Sequence, residues 1–254
     1  MIQVIPVRNL PILKKGDDLV RMIEDEVRSG DIIAISSKAI SKIEGRVVPL
    51  ESIRPSERAL RIAERLKEDP RFVELVLRES NEILLDFPFI LTRRGNWICV
   101  NSAIDRSNIP EGLAVLPPEN PDESARRIRE EFEKRGKRVG VLITDTSGRC
   151  FRRGHTGVCI GASGLKIVEE GGEDLFGRPL RVTKRAIADQ IADFATLIMG
   201  EGSEGIPVVI FRGLELLGDE EGAEILLRDE EEDVIRRILR HFRTKVFNSF
   251  IEEG

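Results

Sequence analysis

Apolar and polar positions follow two rhythms along this chain. Short β-branched runs bounded by turn residues predict strands at "IQVIPV", "DIIAIS", "RVGVLITD", "GVCIGASGL" and "PVVIF". Between them, apolar residues recur at helical spacing. "DDLVRMIEDEVRSG" predicts an amphipathic helix closed by Gly30, and "SERALRIAERLKED" and "PRFVELVLRES" predict two more. "NPDESARRIREEFEKRG" carries strong helix punctuation: Asn120 as cap, Pro121 at the start, and Gly136 at the end. Its apolar face is Ala125, Ile128 and Phe132. "KRAIADQIADFATLIM" puts Ile187, Ile191, Phe194 and Ile198 on one helical face. "EILLDFPFILTRRGNWICVN" reads as two strands about the turn Arg94-Gly95-Asn96. "DEEEDVIRRILRHFR" is acidic first and basic last, which complements a helix dipole. No internal repeat, low-complexity linker or sharp boundary divides residues 1–254.

Composition narrows the functional classes. The chain has 254 residues, enough for one large domain or two small ones. Apolar content of 41% suits a packed core. The 33% charged content and the lack of tyrosine lean toward an ion-pair-rich surface. Net charge is −5, which argues against a general nucleic-acid binder. No apolar run approaches the roughly 18 residues of a membrane span, and "MIQVIPVRN" reads as a strand rather than a signal peptide. Cys99, Cys150 and Cys159 lack C-x-x-C spacing, so a reducing, cytoplasmic setting is expected. With only His155 and His241 available, a histidine-rich zinc site cannot be built. Any metal is expected to be held by oxygen, which favours Mg²⁺ or Mn²⁺.

The stretch "IMGEGSEGIPVVIF" spaces Gly200, Gly202 and Gly205 as G-x-G-x-x-G. A dinucleotide-binding turn needs a strand before the glycines and a helix after them. Here a helix precedes and a strand follows, so the glycines close the helix. Glu201 and Glu204 also lie in the loop. Carboxylates belong near a phosphate only with a cation between them.

Other polar stretches follow strands. "ITDTSGR" brings Asp145, Thr146, Ser147 and Arg149 past a buried strand, where α/β proteins place ligands; a turn capped by Asp145 is the alternative. "NSAIDRSN" carries Asp105 and Asn108, either as a ligand loop or as an Asx-turn. "SSKAISKIEGR" offers Ser37, Lys38 and Lys42 for phosphate contact, or a solvated hairpin, and the P-loop pattern is absent from the chain. Arg149, Arg152 and Arg153 could clamp an anion or form a charged surface run. Asp189 and Asp193, four apart on one helix, are expected on a solvated face. Three acidic loops (Asp105, Asp145, Glu204) and two basic ones together imply a metal–phosphate site.

The ordered blocks "NLPI", "SSKAISKIEGR", "NSAIDRSN", "ITDTSGR", "VTKRAIADQIA" and "MGEGSEGIPVVIFRG" resemble the coenzyme F420-0:γ-glutamyl ligase family, close to its archaeal members, over nearly the whole chain. The resemblance implies a family-specific α+β fold of mixed sheets with helices, one ligase domain over 1–254 in two intertwined subdomains, and a homodimer. It implies addition of L-glutamate to the lactyl carboxylate of coenzyme F420-0 and then γ-linked extension. GTP would be the co-substrate, with two Mn²⁺ or Mg²⁺ ions and K⁺ as activators. Asn9, Leu10, Pro11 and Ile12, with Ser37, Lys38 and Lys42, match the nucleotide site. So do Asn108, Gly202, Ser203, Gly205, Ile206, Pro207 and Val208. Asp105 and Asp145 match one metal position, and Thr146 and Glu204 a second. Lys42 and Asp145 are the expected catalytic groups. No nucleic acid or membrane partner is implied. The run Gly148-Arg149-Cys150-Phe151-Arg152 departs from the Pro-Trp that many members carry after Gly-Arg. The sequence ends at Gly254, and the flavin-dependent second domain of some bacterial members is not expected. An acyl phosphate made from GTP would let an amine attack without a side-chain nucleophile. Two rivals fit the same residues: a metal-dependent nucleotide phosphohydrolase, and a deazaflavin- or nucleotide-binding module.

Overall fold

A computed structural model describes residues 1–95 and 97–241. Helices and mixed sheets make an α+β fold. The chain divides into two compact units, residues 1–46 with 117–226, and residues 47–116 with 227–254.

The first unit begins with β1 (Gln3–Val7), α1 (Leu19–Ile23), β2 (Ile32–Ser36) and α2 (Ser37–Ile43). The chain then enters the second unit with β3 (Val47–Pro49), α3 (Glu57–Leu66), α4 (Pro70–Glu79), β4 (Glu82–Leu85), β5 (Leu91–Arg94), β6 (Trp97–Val100) and β7 (Leu113–Val115). It returns through α5 (Pro121–Lys134), β8 (Gly140–Arg149), β9 (Arg152–Leu165), β10 (Val168–Glu170), β11 (Lys184–Ala186), α6 (Ile187–Met199), β12 (Val208–Arg212) and β13 (Leu217–Glu221).

A six-stranded sheet in the order β1-β12-β2-β8-β9-β13 organises the first unit. Only β2 and β8 pair in parallel; the other neighbours are antiparallel. Ile32 to Ile35, Val141 to Ile143 and Val208 to Ile210 are all fully buried. Such continuous apolar runs are what a sheet covered on both faces requires. One face packs on Ile187, Ala188, Ile191, Ala192, Ala195 and Met199 of α6. α2 and α5 also contact the sheet. β12 and β2 are pinned at one end by Asp31, which is 1% exposed and takes both Nε (2.9 Å) and Nη2 (2.7 Å) of Arg212.

The second unit packs α3 and α4 around Ile62, Phe72, Val73 and Val76. Ser56 caps α3, and Asp69 caps α4 ahead of Pro70. β4, β5 and β6 form a three-stranded sheet, so this segment holds one strand more than its pattern predicted. Phe87 and Pro88 interrupt the run and end β4. The expected turn residue Asn96 lies outside the described residues, as do Phe242 and Arg243 of the predicted C-terminal helix. Residues 234–241 are helical.

Three further expectations change. The helix predicted over 17–30 is confined to Leu19–Ile23, because the next bonds tighten to Ile23 and Glu24 carbonyls three residues back and turn the chain. The stretch after β2 is a helix rather than a hairpin: Ser36 Oγ accepts the Ala39 N–H (3.3 Å), and Ala39 and Ile40 are buried. "TDTSGR" is a strand rather than a turn, since β8 runs on to Arg149 and pairs with β9 as a long hairpin.

Removing Arg212 leaves the buried Asp31 carboxylate without its cationic partner, with the Arg28 N–H (2.8 Å) still donating to it. Arg212→Ala is expected to cost about 3–5 kcal/mol, read by chemical denaturation. In the second unit Glu82 accepts from Arg236 Nη2 (2.7 Å) and Arg240 Nε (2.8 Å). Burial pushes its pKa up, but the two guanidinium groups outweigh it and hold it below 4.5. The folded value lies under the unfolded one, so this stabilisation is complete above pH ~4.5 and lost as pH falls through the lower value. Glu82→Gln is therefore expected to cost on the order of 1–2 kcal/mol at pH 7, and the difference from wild type should vanish in acid unfolding curves below that window.

Candidate functional site

Strand register decides which loops share one edge of the six-stranded sheet. Ser36 at the end of β2 pairs with Thr144 on parallel β8. Val208 at the start of β12 pairs with Ile35 and with Val7, the last residue of β1. The Ser36 N–H donates to Pro207 O at 2.9 Å. The exits of β1 and β2, the entry to β12 and the overhanging end of β8 therefore lie along a single edge.

That edge carries most of the residues expected from sequence. Asn9 to Ile12 leave β1, with Asn9 in the left-handed region at φ 62°. Ser37 and Lys38 open α2, and Lys42 follows Lys38 by one helical turn on the same face. Gly202 to Pro207 lead into β12. Asp145 and Thr146 lie on β8 and are half-buried, and the Thr146 N–H donates to Asp145 Oδ1 (2.8 Å). A bulge between Ile143 and Thr144 immediately precedes them. Such a bulge re-aims the side chains that follow.

The glycine loop is built around one carboxylate. Gly200 ends α6 at φ 69°, and its N–H bonds back to Thr196 O. A Cβ there would fall 2.3 Å from the Glu204 carboxyl carbon. Gly202 N–H donates to Glu204 Oε2 (2.8 Å). Glu204 is thus held by the backbone of its own loop on an exposed surface.

The second unit holds Asp105 and Asn108. Asp105 accepts both the N–H (2.6 Å) and the hydroxyl (2.9 Å) of Ser107, which makes it an Asx-turn. Its backbone bridges Val115 in both directions. Asn108 is in the left-handed region at φ 52°.

The donor set suits a hard cation. Asp145, Thr146 and Glu204 offer two carboxylates and a hydroxyl along one edge. Among the described residues, no three His, Cys, Asp or Glu side chains form a ready cage. Ions such as Mg²⁺ take one or two carboxylates and complete their shell with water and substrate phosphates, and these side chains offer donors of that chemistry. Arg149, Arg152, Arg153 and His155 sit on the exposed tip of the β8–β9 hairpin.

Asp193 is exposed, as expected, whereas Asp189 is half-buried. Rather than facing solvent alone, they accept backbone N–H groups of β9: Cys159 to Asp189 Oδ1 (2.8 Å) and Gly157 to Asp193 Oδ1 (3.0 Å). Burial raises the Asp189 pKa, offset in part by the Cys159 N–H. The signal was present in "AIADQIADFA": Ala188, Ala192 and Ala195 are fully buried, and small residues mark close backbone approach.

Comparison with known proteins gives a consistent picture. The family model for F420-0:Gamma-glutamyl ligase matches residues 8–213. A coenzyme F420:L-glutamate ligase of Archaeoglobus fulgidus is 52% identical over 94% of this chain and 98% of its own length. Relatives of the same name from Methanosarcina mazei and Methanocaldococcus jannaschii are each 45% identical, covering 96% and 89% of this chain and 98% and 94% of their own.

Gly200 and Gly202 differ in what they tolerate. Gly200→Ala meets both a positive φ and the Glu204 carboxyl, and should cost about 1 kcal/mol or more in denaturant while exposing the Gly202 amide to hydrogen exchange. Gly202→Ala meets only the Glu204 carboxylate, at 3.3 Å and without a positive φ, and should be nearly neutral.

Proposed function

The chain belongs to the F420-0:γ-glutamyl ligase family, and we propose that it joins L-glutamate to coenzyme F420-0 and then extends the product through γ-linked glutamate, using GTP. The observation that carries this reading is the strand register that lines Asn9–Ile12, Ser37–Lys42, Asp145–Thr146 and Gly202–Val208 along one sheet edge. The family's description supports F420-0 as the acceptor, and the relatives' shared name supports L-glutamate as the amino acid.

A carboxylate acylates poorly, so the lactyl carboxylate would first take the γ-phosphoryl group of GTP. The α-amine of glutamate then displaces phosphate from the acyl phosphate and forms the amide. Mn²⁺ or Mg²⁺, when bound, would supply charge neutralisation for the nucleotide phosphates. Within the first unit, Asp145, Thr146 and Glu204 are the proposed metal ligands; in the second unit, Asp105 is proposed as a metal ligand. Within the first unit, Asn9 to Ile12, Ser37, Lys38 and the residues from Gly202 to Val208 are proposed to line the nucleotide; in the second unit, Asn108 is a proposed nucleotide contact. Lys42 adds fixed positive charge beside the phosphates. No histidine is asked to act as base, in keeping with the exposed His155. The same reading includes K⁺ as an activator and a homodimer; exposed Leu175, Phe176 and Val182 support the latter.

Mass spectrometry of coenzyme F420-0 incubated with the protein, L-glutamate, GTP and Mn²⁺ is expected to give products heavier by one or more glutamyl units, absent without GTP. Phosphate release with no change in acceptor mass would replace this reading with a phosphohydrolase. Asp145→Ala should lower turnover by about two orders of magnitude or more while the circular dichroism spectrum is kept; a folded variant with full activity would sink the assignment of Asp145.

A further inference from the structure

One helix links two of the proposed metal ligands. α6 is fixed to β9 at Gly157, which is the ladder partner of Thr146, while neighbouring Val158 is the partner of Asp145. The tie is the 3.0 Å bond from the Gly157 N–H to Asp193, repeated one turn earlier by Cys159 and Asp189. A Cβ on Gly157 would lie 2.3 Å from Ala192 O and 2.6 Å from Thr196 Oγ1, so the helix backbone rests on the strand itself. Beyond Asp193 the helix continues to Met199, about 9 Å further at 1.5 Å per residue, and turns at Gly200 into the loop that holds Glu204.

We propose that Asp193, seconded by Asp189, is a positioning residue that sets the spacing between Thr146 and Glu204 for one divalent cation. The inference rests on reading those two residues as metal ligands. Mg²⁺-type ions demand near-octahedral geometry at about 2.1 Å, and a threonine hydroxyl is a neutral, weak donor. Such a ligand pair works only if its two supports keep a fixed separation. The Asp193 carboxylate holds β9 opposite Thr146, and α6 carries that reference point rigidly to the glycine loop. Groups behind the ligands commonly change metal affinity by about 10–100-fold.

Asp122 supplies the control. It also ties a helix to β9, accepting from Ala162 (2.9 Å) and from Ala223 (2.8 Å), but on the far side of the bulge from Thr146. Binding of Mn²⁺ to the full chain, with and without GTP, can be read from the free-ion signal in electron paramagnetic resonance. Asp193→Ala is expected to weaken Mn²⁺ by about 10-fold or more. Asp193→Asn, which keeps an acceptor oxygen, should bind nearly as wild type. Asp193→Glu keeps charge and acceptor but lengthens the tether by one methylene, so it should weaken Mn²⁺ without unfolding the chain. Asp122→Ala should lower the thermal midpoint and leave Mn²⁺ affinity unchanged. Wild-type binding by both Asp193→Ala and Asp193→Glu would overturn the proposal, as would equal weakening by Asp122→Ala. Thr146→Val and Glu204→Gln separate the two levels. If these also bind Mn²⁺ as wild type, the metal reading itself fails; if they lose Mn²⁺ while the Asp193 variants keep it, only the positioning role fails.

Discussion

Everything at the candidate site hangs on the parallel pairing of β2 with β8. Ile32 to Ser36 run alongside Gly140 to Thr144 in strict register, and β12 runs the other way on the opposite side of β2. Because a one-residue slip would exchange the two faces of a strand, the fully buried Ile33, Ile35, Val141 and Ile143 would lose the packing partners that fix the alignment. Four loops distant in sequence then have no choice but to emerge at one edge. The Asp31–Arg212 pair locks the opposite end of β2 and β12. The apolar core therefore sets the polar geometry: the site is specified by residues that never meet a ligand.

β9 shows how the sheet manages an outer edge. β13 reaches only its last residues, pairing at Ser163 and Leu165. The N–H groups of Gly157, Cys159 and Ala162 are instead taken by Asp193, Asp189 and Asp122 from helices. Unpaired strand edges are sites for wrong association, and helical carboxylates close this one. The helices can come close only because Gly157 and Gly161 have no side chain; a Cβ on Gly161 would lie 2.4 Å from the Pro121 carbonyl carbon. Burial raises the pKa of both Asp122 and Asp189, so this closure costs desolvation, which the accepted N–H bonds offset.

How much of this was legible in sequence depended on whether local chemistry and tertiary context agreed. β2, β12 and α5 were readable because periodicity, caps and burial point the same way; Asn120 accepts the Glu123 N–H as its cap position requires. The family blocks located the candidate residues, and the sheet register explains why blocks so far apart belong together. The β8–β9 hairpin was misread because Asp-Thr-Ser-Gly-Arg is turn chemistry, overridden here by a bulged ladder that continues to Arg149. Helical spacing puts Asp193 on an exposed face, where it lies, but does not report that β9 arrives beside it and half-buries Asp189. The third strand of the second unit was hidden by Phe87 and Pro88, which split one apolar run into two.

Backbone strain draws the same boundary from another direction. Most of the non-glycine residues at positive φ among those described fall on the proposed ligand segments or shortly before them: Asn9, Asn101, Ser102, Ala103 and Asn108. Asparagine tolerates this region because its side chain can bond locally, but serine and alanine do not share that ease. Three consecutive left-handed residues just ahead of Asp105 need compensation. The Ser102 N–H donates to the buried Thr92 hydroxyl (3.1 Å), which itself donates to Cys99 O (3.0 Å), and the Ile104 N–H closes on Asn101 O (3.0 Å). The Ser102 peptide is thus held by a buried strand hydroxyl, and the turn closes on itself from Ile104 to Asn101. A loop chosen only for stability would place glycine at such positions, as the chain does at Gly200 and Gly205. Non-glycine residues kept there at a cost of about 1–3 kcal/mol each indicate that the path of the chain into Asp105 is constrained by what that segment must present.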